Sequence, residues 1–246
     1  MMKPAIGNTS LRLSDEARAS GPAAAGATHR APARWRLPLI AMLALALAGC
    51  SMLGGGNGRE RATIYAPDPR VTLDASAPSV SWQLSLTTPL AARVIDSSRI
   101  AVRPAPGELQ VYRGASWAKT PTDMLQDALL RALEDSGRIP AVARQGSGIA
   151  ADYKLVVDLR RFEADYAGNA VPSAAIEFNA KLIHSHDQSI VGSRTFARVE
   201  PAAGTDIGVV VQAFSRGLET VTGELAHWVL VTGDAHHRRE SPAGRP

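Results

Sequence analysis

Cysteine is nearly absent from this chain: Cys50 is the single one among 246 residues. One thiol cannot close an intramolecular disulfide, even in an oxidising compartment, so stability must come from a hydrophobic core. An apolar run of bilayer length is missing at Leu37–Gly49, which has thirteen residues where a spanning helix needs about 20. No G-x-S-x-G stretch marks a hydrolase nucleophile, and Ser97-Ser98 precedes a strand pattern with no identifiable base. The glycines of "GGGNG" neither follow a strand nor open a helix, which excludes a phosphate loop. No internal repeat is visible. Finally, most of the chain lacks excess charge. The net charge is +4, but the first 49 residues hold six Lys and Arg against two Asp and Glu, leaving 21 of each sign beyond. A neutral remainder gives no support to nucleic-acid binding.

What is present begins with the surroundings of Cys50. Arg30, Arg34 and Arg36 form a basic stretch, the apolar run follows, and it ends in Leu47-Ala48-Gly49-Cys50. Basic region, short apolar region and small residues are the parts of a secretory signal. With the cysteine they resemble the bacterial lipobox, in which the thiol takes a diacylglyceryl group and becomes the mature N-terminus. Two or more acyl chains, at about 0.8 kcal/mol per buried methylene, hold a protein stably on a membrane. Ser51, rather than Asp, follows the cysteine, which by the lipoprotein sorting rule implies the outer membrane. The leader is long for such a signal, which allows a true start downstream of Met1. Residues 1–49 are thus expected to be a signal peptide. Residues 50–79, rich in glycine and then proline, are expected to be the anchor and a flexible tether.

The remaining pattern predicts one domain over 80–231. Val80, Trp82, Leu84 and Leu86 alternate with polar residues, the period of a half-buried strand. Ile100 with Val102 and Leu109 with Val111 mark two more strands around Pro104, Pro106 and Gly107. "TPTDMLQDALLRALEDSG" reads as a helix, capped by Thr120, started by Pro121 and stopped by Gly137. "RIPAVAR" is a short strand. Tyr153, Leu155, Val157 and Leu159 share a face; the apolar phase then slips to Phe162, Ala164 and Tyr166, predicting a bulge at Arg160-Arg161. Two further strands, "AIEFNAKLIH" and "SIVGSRTFARV", complete an antiparallel meander. Ile207, Val210, Val211, Phe214, Leu218, Val221, Leu225 and Trp228 recur at helical steps, giving a long second helix ending near Gly233. A polar tail, 232–246, is expected to be disordered. The fold class is α+β: an antiparallel or mixed sheet with two main helices packed on one face.

Chemistry is sparse. His184-x-His186 and His236-His237 offer imidazoles, with Asp187 the one carboxylate at metal spacing; solvated turn histidines are the expected reading, with no metal and no cofactor. "VYRGASWAKTP" is more informative. Tyr112 and Trp117 bracket a short loop containing Arg113, and Tyr, Trp and Arg are enriched at interfaces. Tyr112, Arg113 and Trp117 are therefore assigned to a partner or subunit contact; the competing reading is that both rings pack in the core.

"DSSRIAVRPAPGELQVYRGASWAKTPTDMLQDALLRALEDSG", then "ADYKLVVDLRRFEADY", then a late helix with "HWV", resemble the ABC-type transport auxiliary lipoprotein family of the PqiC type, over roughly 80–230. The resemblance implies a non-enzymatic component at the outer membrane, facing the periplasm. Its implied partners are an MCE-domain protein that bridges the periplasm and an inner-membrane ABC or integral permease, with assembly as a homo-oligomeric ring. Two other classes fit the residues: a stand-alone lipid- or ligand-binding lipoprotein, marked by a large apolar pocket, and a lipid-anchored hydrolase, marked by an acid–base pair in a cleft.

Overall fold

The computed structural model describes residues 62–240. The leader, Cys50 and the last six residues lie outside the described residues. The elements in chain order are β1 (Thr63–Tyr65), β2 (Gln83–Leu86), β3 (Leu90–Ala91), β4 (Arg99–Arg103), β5 (Gln110–Trp117), α1 (Pro121–Ser136), β6 (Ala141–Arg144), β7 (Tyr153–Asp165), β8 (Ser173–His184), β9 (Ile190–Pro201) and α2 (Ile207–Glu240). This is the expected α+β fold, a mixed sheet with two helices that pack on it and on each other.

The long strand β7 organises the sheet. Along one edge it pairs with β8 antiparallel over its whole length, and β8 pairs with β9 likewise. Along the other edge three short strands meet it in succession, all parallel: β2 at Tyr153–Leu155, β3 at Asp158–Leu159 and β4 at Ala164–Asp165. β6 adds to β2, and β5 pairs antiparallel with β4. The predicted phase slip is real: the β7–β8 register shifts between Leu159 and Arg161. Tyr153, Leu155, Val157 and Leu159 are buried before it, Phe162 and Ala164 after it. The slip also buries Glu163. Arg103 and Arg161 each reach it at 2.8 Å, so its charge is paired and hydrogen-bonded where an isolated carboxylate would be costly.

Helix α1 follows its sequence signals. The Thr120 hydroxyl accepts from the Asp123 N–H, Pro121 takes the first helical position, and Gly137 closes the helix at φ +61°. Leu125, Leu129, Ala132 and Leu133 are buried, as their spacing requires.

Two boundaries differ from expectation. The pattern predicts a tether through residue 79, but Thr63–Tyr65 form β1, parallel to Ala115–Trp117, and Ala77 is buried. Three residues of backbone pairing leave no apolar period to read. The pattern also predicts that the second helix stops near Gly233 and that the rest is a disordered tail; instead α2 continues to Glu240. Gly233 is there for closeness. A Cβ on it would lie 2.4 Å from Cζ2 of the buried Trp82 ring, so glycine lets the helix sit on the indole.

Candidate functional site

The Tyr112–Trp117 segment is strand β5, not a loop. Its backbone pairs with β4 and, at 115–117, with β1, so the side chains alternate between faces. Trp117 therefore points inward and is 2 % exposed. Its ring meets Phe162 at 5.8 Å and Phe214 at 5.2 Å, edge to face, while Phe162 and Phe214 stack at 4.8 Å. This corrects the assignment of Trp117 to a partner contact: the ring is part of this chain's own core, because an indole at the junction of sheet and helix buries more surface there than at a rim. Tyr112 is half-buried against the core, and burial, with Tyr166 beside it, pushes its phenol well above the usual range. Arg113 alone of the three is exposed. It sits on the stretch of β5 that β1 leaves uncovered.

Two surface clefts accompany this fold. The larger, about 890 Å³, lies between residues 71–76, β9 and α2. Arg194, Arg198 and Arg216 line it together with Glu200, Glu219 and His227. Glu200 is held by Arg198 at 2.9 Å and Arg216 at 3.1 Å, and those hydrogen bonds, Arg216's first, keep its carboxyl below the usual value. The guanidinium of Arg194 stands 4.8 Å over the Phe196 ring. The smaller cleft, about 440 Å³, runs between residues 66–68 and α1. Its floor is Pro67, Met124 and Leu130, and its rim is charged. Asp127 there pairs with Lys119 at 2.5 Å and with Arg144. Burial acts upward on Asp127, but the two hydrogen bonds outweigh it and hold the carboxyl below its usual value.

His186 lies in the exposed turn after β8, as expected, but His184 and His236 do not. The end of β8 and the last turn of α2 bring His184, His236 and Glu240 together, with ligand atoms within 4.8 Å of one another. Glu240 Oε2 lies 3.4 Å from His184 Nε2 and 3.6 Å from His236 Nδ1. His184 Nδ1 is 3.0 Å from Asp187 Oδ1, and the Tyr153 hydroxyl is 3.0 Å from His236 Nδ1. Burial pushes that phenol up to about 12, with Glu240 and Asp152 adding to it. Asp187 is drawn down to about 2 by the Ser189 N–H first and by His184 after it. The sequence reading singles out His184, His186, His236 and His237 but misses this meeting, because it ends the helix before His236. The spacing of His236 and Glu240, one helical turn apart, was the available signal.

Among the described residues no helix is long and apolar enough to cross a membrane. The chain matches the model of the ABC-type transport auxiliary lipoprotein component family over residues 63–226, and it belongs to that family. A crystal structure of a protein from Xanthomonas campestris is 56 % identical, with a TM-score of 0.70, covering 72 % of this chain and 99 % of its own. A second crystal structure, of an uncharacterized protein, shares the fold at 12 % identity and a TM-score of 0.50, covering 65 % of this chain and 99 % of that one. An uncharacterized protein from Bradyrhizobium diazoefficiens is 26 % identical over 191 residues, 75 % of this chain. The chain spans about half the length of that curated relative.

Proposed function

We propose that this protein is a lipid-anchored, non-catalytic component of an ABC/MCE-type lipid transport system, held at the outer membrane by acylated Cys50 and facing the periplasm. The observation that carries the reading is family membership over 63–226 in a chain that also has Leu47-Ala48-Gly49-Cys50. Ser51 after the cysteine supports the outer-membrane placement. The partners in this reading are an MCE-domain protein and inner-membrane ABC or permease subunits, and the domain forms a homo-oligomeric ring around the partner's end. Two features support docking over solitary carriage of lipid. Both clefts have charged walls or rims, and the space between sheet and helices is filled by side chains such as Phe162, Phe178 and Phe214. Arg113, exposed on a strand edge, belongs to the contact surface in this reading.

Affinity capture of the acylated full chain from mildly solubilised membranes tests it. Recovery of an MCE-domain protein and permease subunits is expected, and Cys50→Ala should move the chain out of the membrane fraction. Carbonate-resistant membrane association of Cys50→Ala, or capture without any transporter subunit, would overturn the reading.

A further inference from the structure

We propose that His184, His236 and Glu240 form a binding site for a divalent transition-metal ion of the zinc class, fastening the last turn of α2 to the end of β8. Two imidazoles and a carboxylate are a donor set such ions take, at bonds of about 2.0–2.2 Å. Tetrahedral bonds of that length separate neighbouring donors by about 3.4 Å. The carboxylate oxygen already stands 3.4 and 3.6 Å from the two ring nitrogens. An ion at their centre needs the two rings to close on each other and little else.

The surroundings prepare these atoms. The Asp187 carboxylate, which can only accept, stands 3.0 Å from His184 Nδ1, and this contact turns Nε2 toward Glu240. A carboxylate behind a histidine is the usual outer partner of a metal-bound ring, fixing its tautomer and orientation. His236 and Glu240 lie one turn apart on one helical face, a spacing that lets two side chains grip one ion. The His184 and His236 side chains are 14 % and 16 % exposed, whereas Glu240 is 43 % exposed, so the ion would enter from the carboxylate side. The Tyr153 hydroxyl stands 3.0 Å from His236 Nδ1, a contact in which either atom can donate, depending on the imidazole tautomer. Three protein ligands also leave a fourth position for water or for a side chain of a docking partner. The inference stands apart from the transport reading, since it uses none of the partner surfaces.

Equilibrium dialysis of the full chain in detergent against Zn²⁺ alone, with Co²⁺ absorbance as a second readout, tests it. One ion per chain is expected, with a four-coordinate Co²⁺ spectrum and a rise in Tm on Zn²⁺ addition. His184→Ala, His236→Ala and Glu240→Gln should each weaken binding by at least about 100-fold and abolish the Tm rise. Asp187→Asn, which keeps every ligand, should cost roughly 10- to 100-fold. His237→Ala, whose ring faces Ser81 at 3.4 Å, should bind as the parent does. The parent's circular dichroism spectrum in each variant shows that it is folded. No stoichiometric binding at micromolar Zn²⁺, or undiminished binding by folded His184→Ala or His236→Ala, would overturn the proposal.

Discussion

The two ends of helix α2 meet the same sheet by different chemistry. Near its start Phe214 closes a dry cluster with Trp117 and Phe162. Near its finish Gly233 lies on Trp82, Trp82 meets Tyr153 at 4.8 Å, and the tyrosine leads on to His236. The first end is cohesive: three rings pack edge to face and stacked, with no hydrogen bond among them. The second combines ring packing with donors and acceptors at fixed angles, and so specifies register along the helix. A helix of 34 residues, about 51 Å long, needs both. Hydrophobic burial holds it down, and the hydrogen-bonding groups at its finish add a second check on its register.

The comparison can be broken or sharpened by four changes. Trp117→Ala empties the dry end and should destabilise the domain by about 3–5 kcal/mol, read by denaturant unfolding. A loss below 1 kcal/mol would return Trp117 to the partner surface. Gly233→Ala acts on the other end. A methyl cannot share space with the Trp82 ring, so the helix or indole must shift, at about 1–3 kcal/mol. Its near-ultraviolet circular dichroism should change with the indole; an unaltered Trp signal and stability would mean the close approach is not required. Tyr153→Phe keeps the ring and deletes the hydroxyl, and should cost about 0.5–1.5 kcal/mol. The smallest effect concerns pH. The Glu200 carboxyl is held low by Arg216 and Arg198, so the stability from this contact is complete above the ordinary carboxylate value near 4.3. It is lost as pH falls through the lowered value. Arg216→Ala should flatten that acid limb and lower stability at neutral pH by the same small amount, about 0–1 kcal/mol.

How far the sequence could be read follows from the kind of signal each element leaves. The α1 caps are legible because Thr120, Pro121 and Gly137 are local signals, and the slip at Arg160-Arg161 and the inward set of β8 because each follows a local pattern of apolar side chains. β1 is not, because its hold on β5 is backbone pairing over three residues. Trp117 misleads for a related reason. An aromatic beside an arginine and a glycine has the composition of a contact loop, and the alternation that turns the ring inward is set by pairing with β4 and with β1, the latter about 50 residues away in sequence. Gly233 misleads most. Glycine after an apolar run usually ends a helix, whereas here its missing side chain admits a tryptophan from 151 residues earlier. That one misreading also hid His236 and Glu240 in a supposed tail.

The short strand β1 has a mechanical meaning for an anchored protein. Were the chain free until residue 80, thirty residues would separate it from Cys50 and could span about 100 Å. Sewing Thr63 to Ala115 cuts the leash to thirteen residues, about 45 Å at full stretch. On the proposed reading, with Cys50 as the anchor, the start of the domain stays within about 45 Å of the membrane that holds it. On that reading the three residues of β1 decide how near a partner has to come.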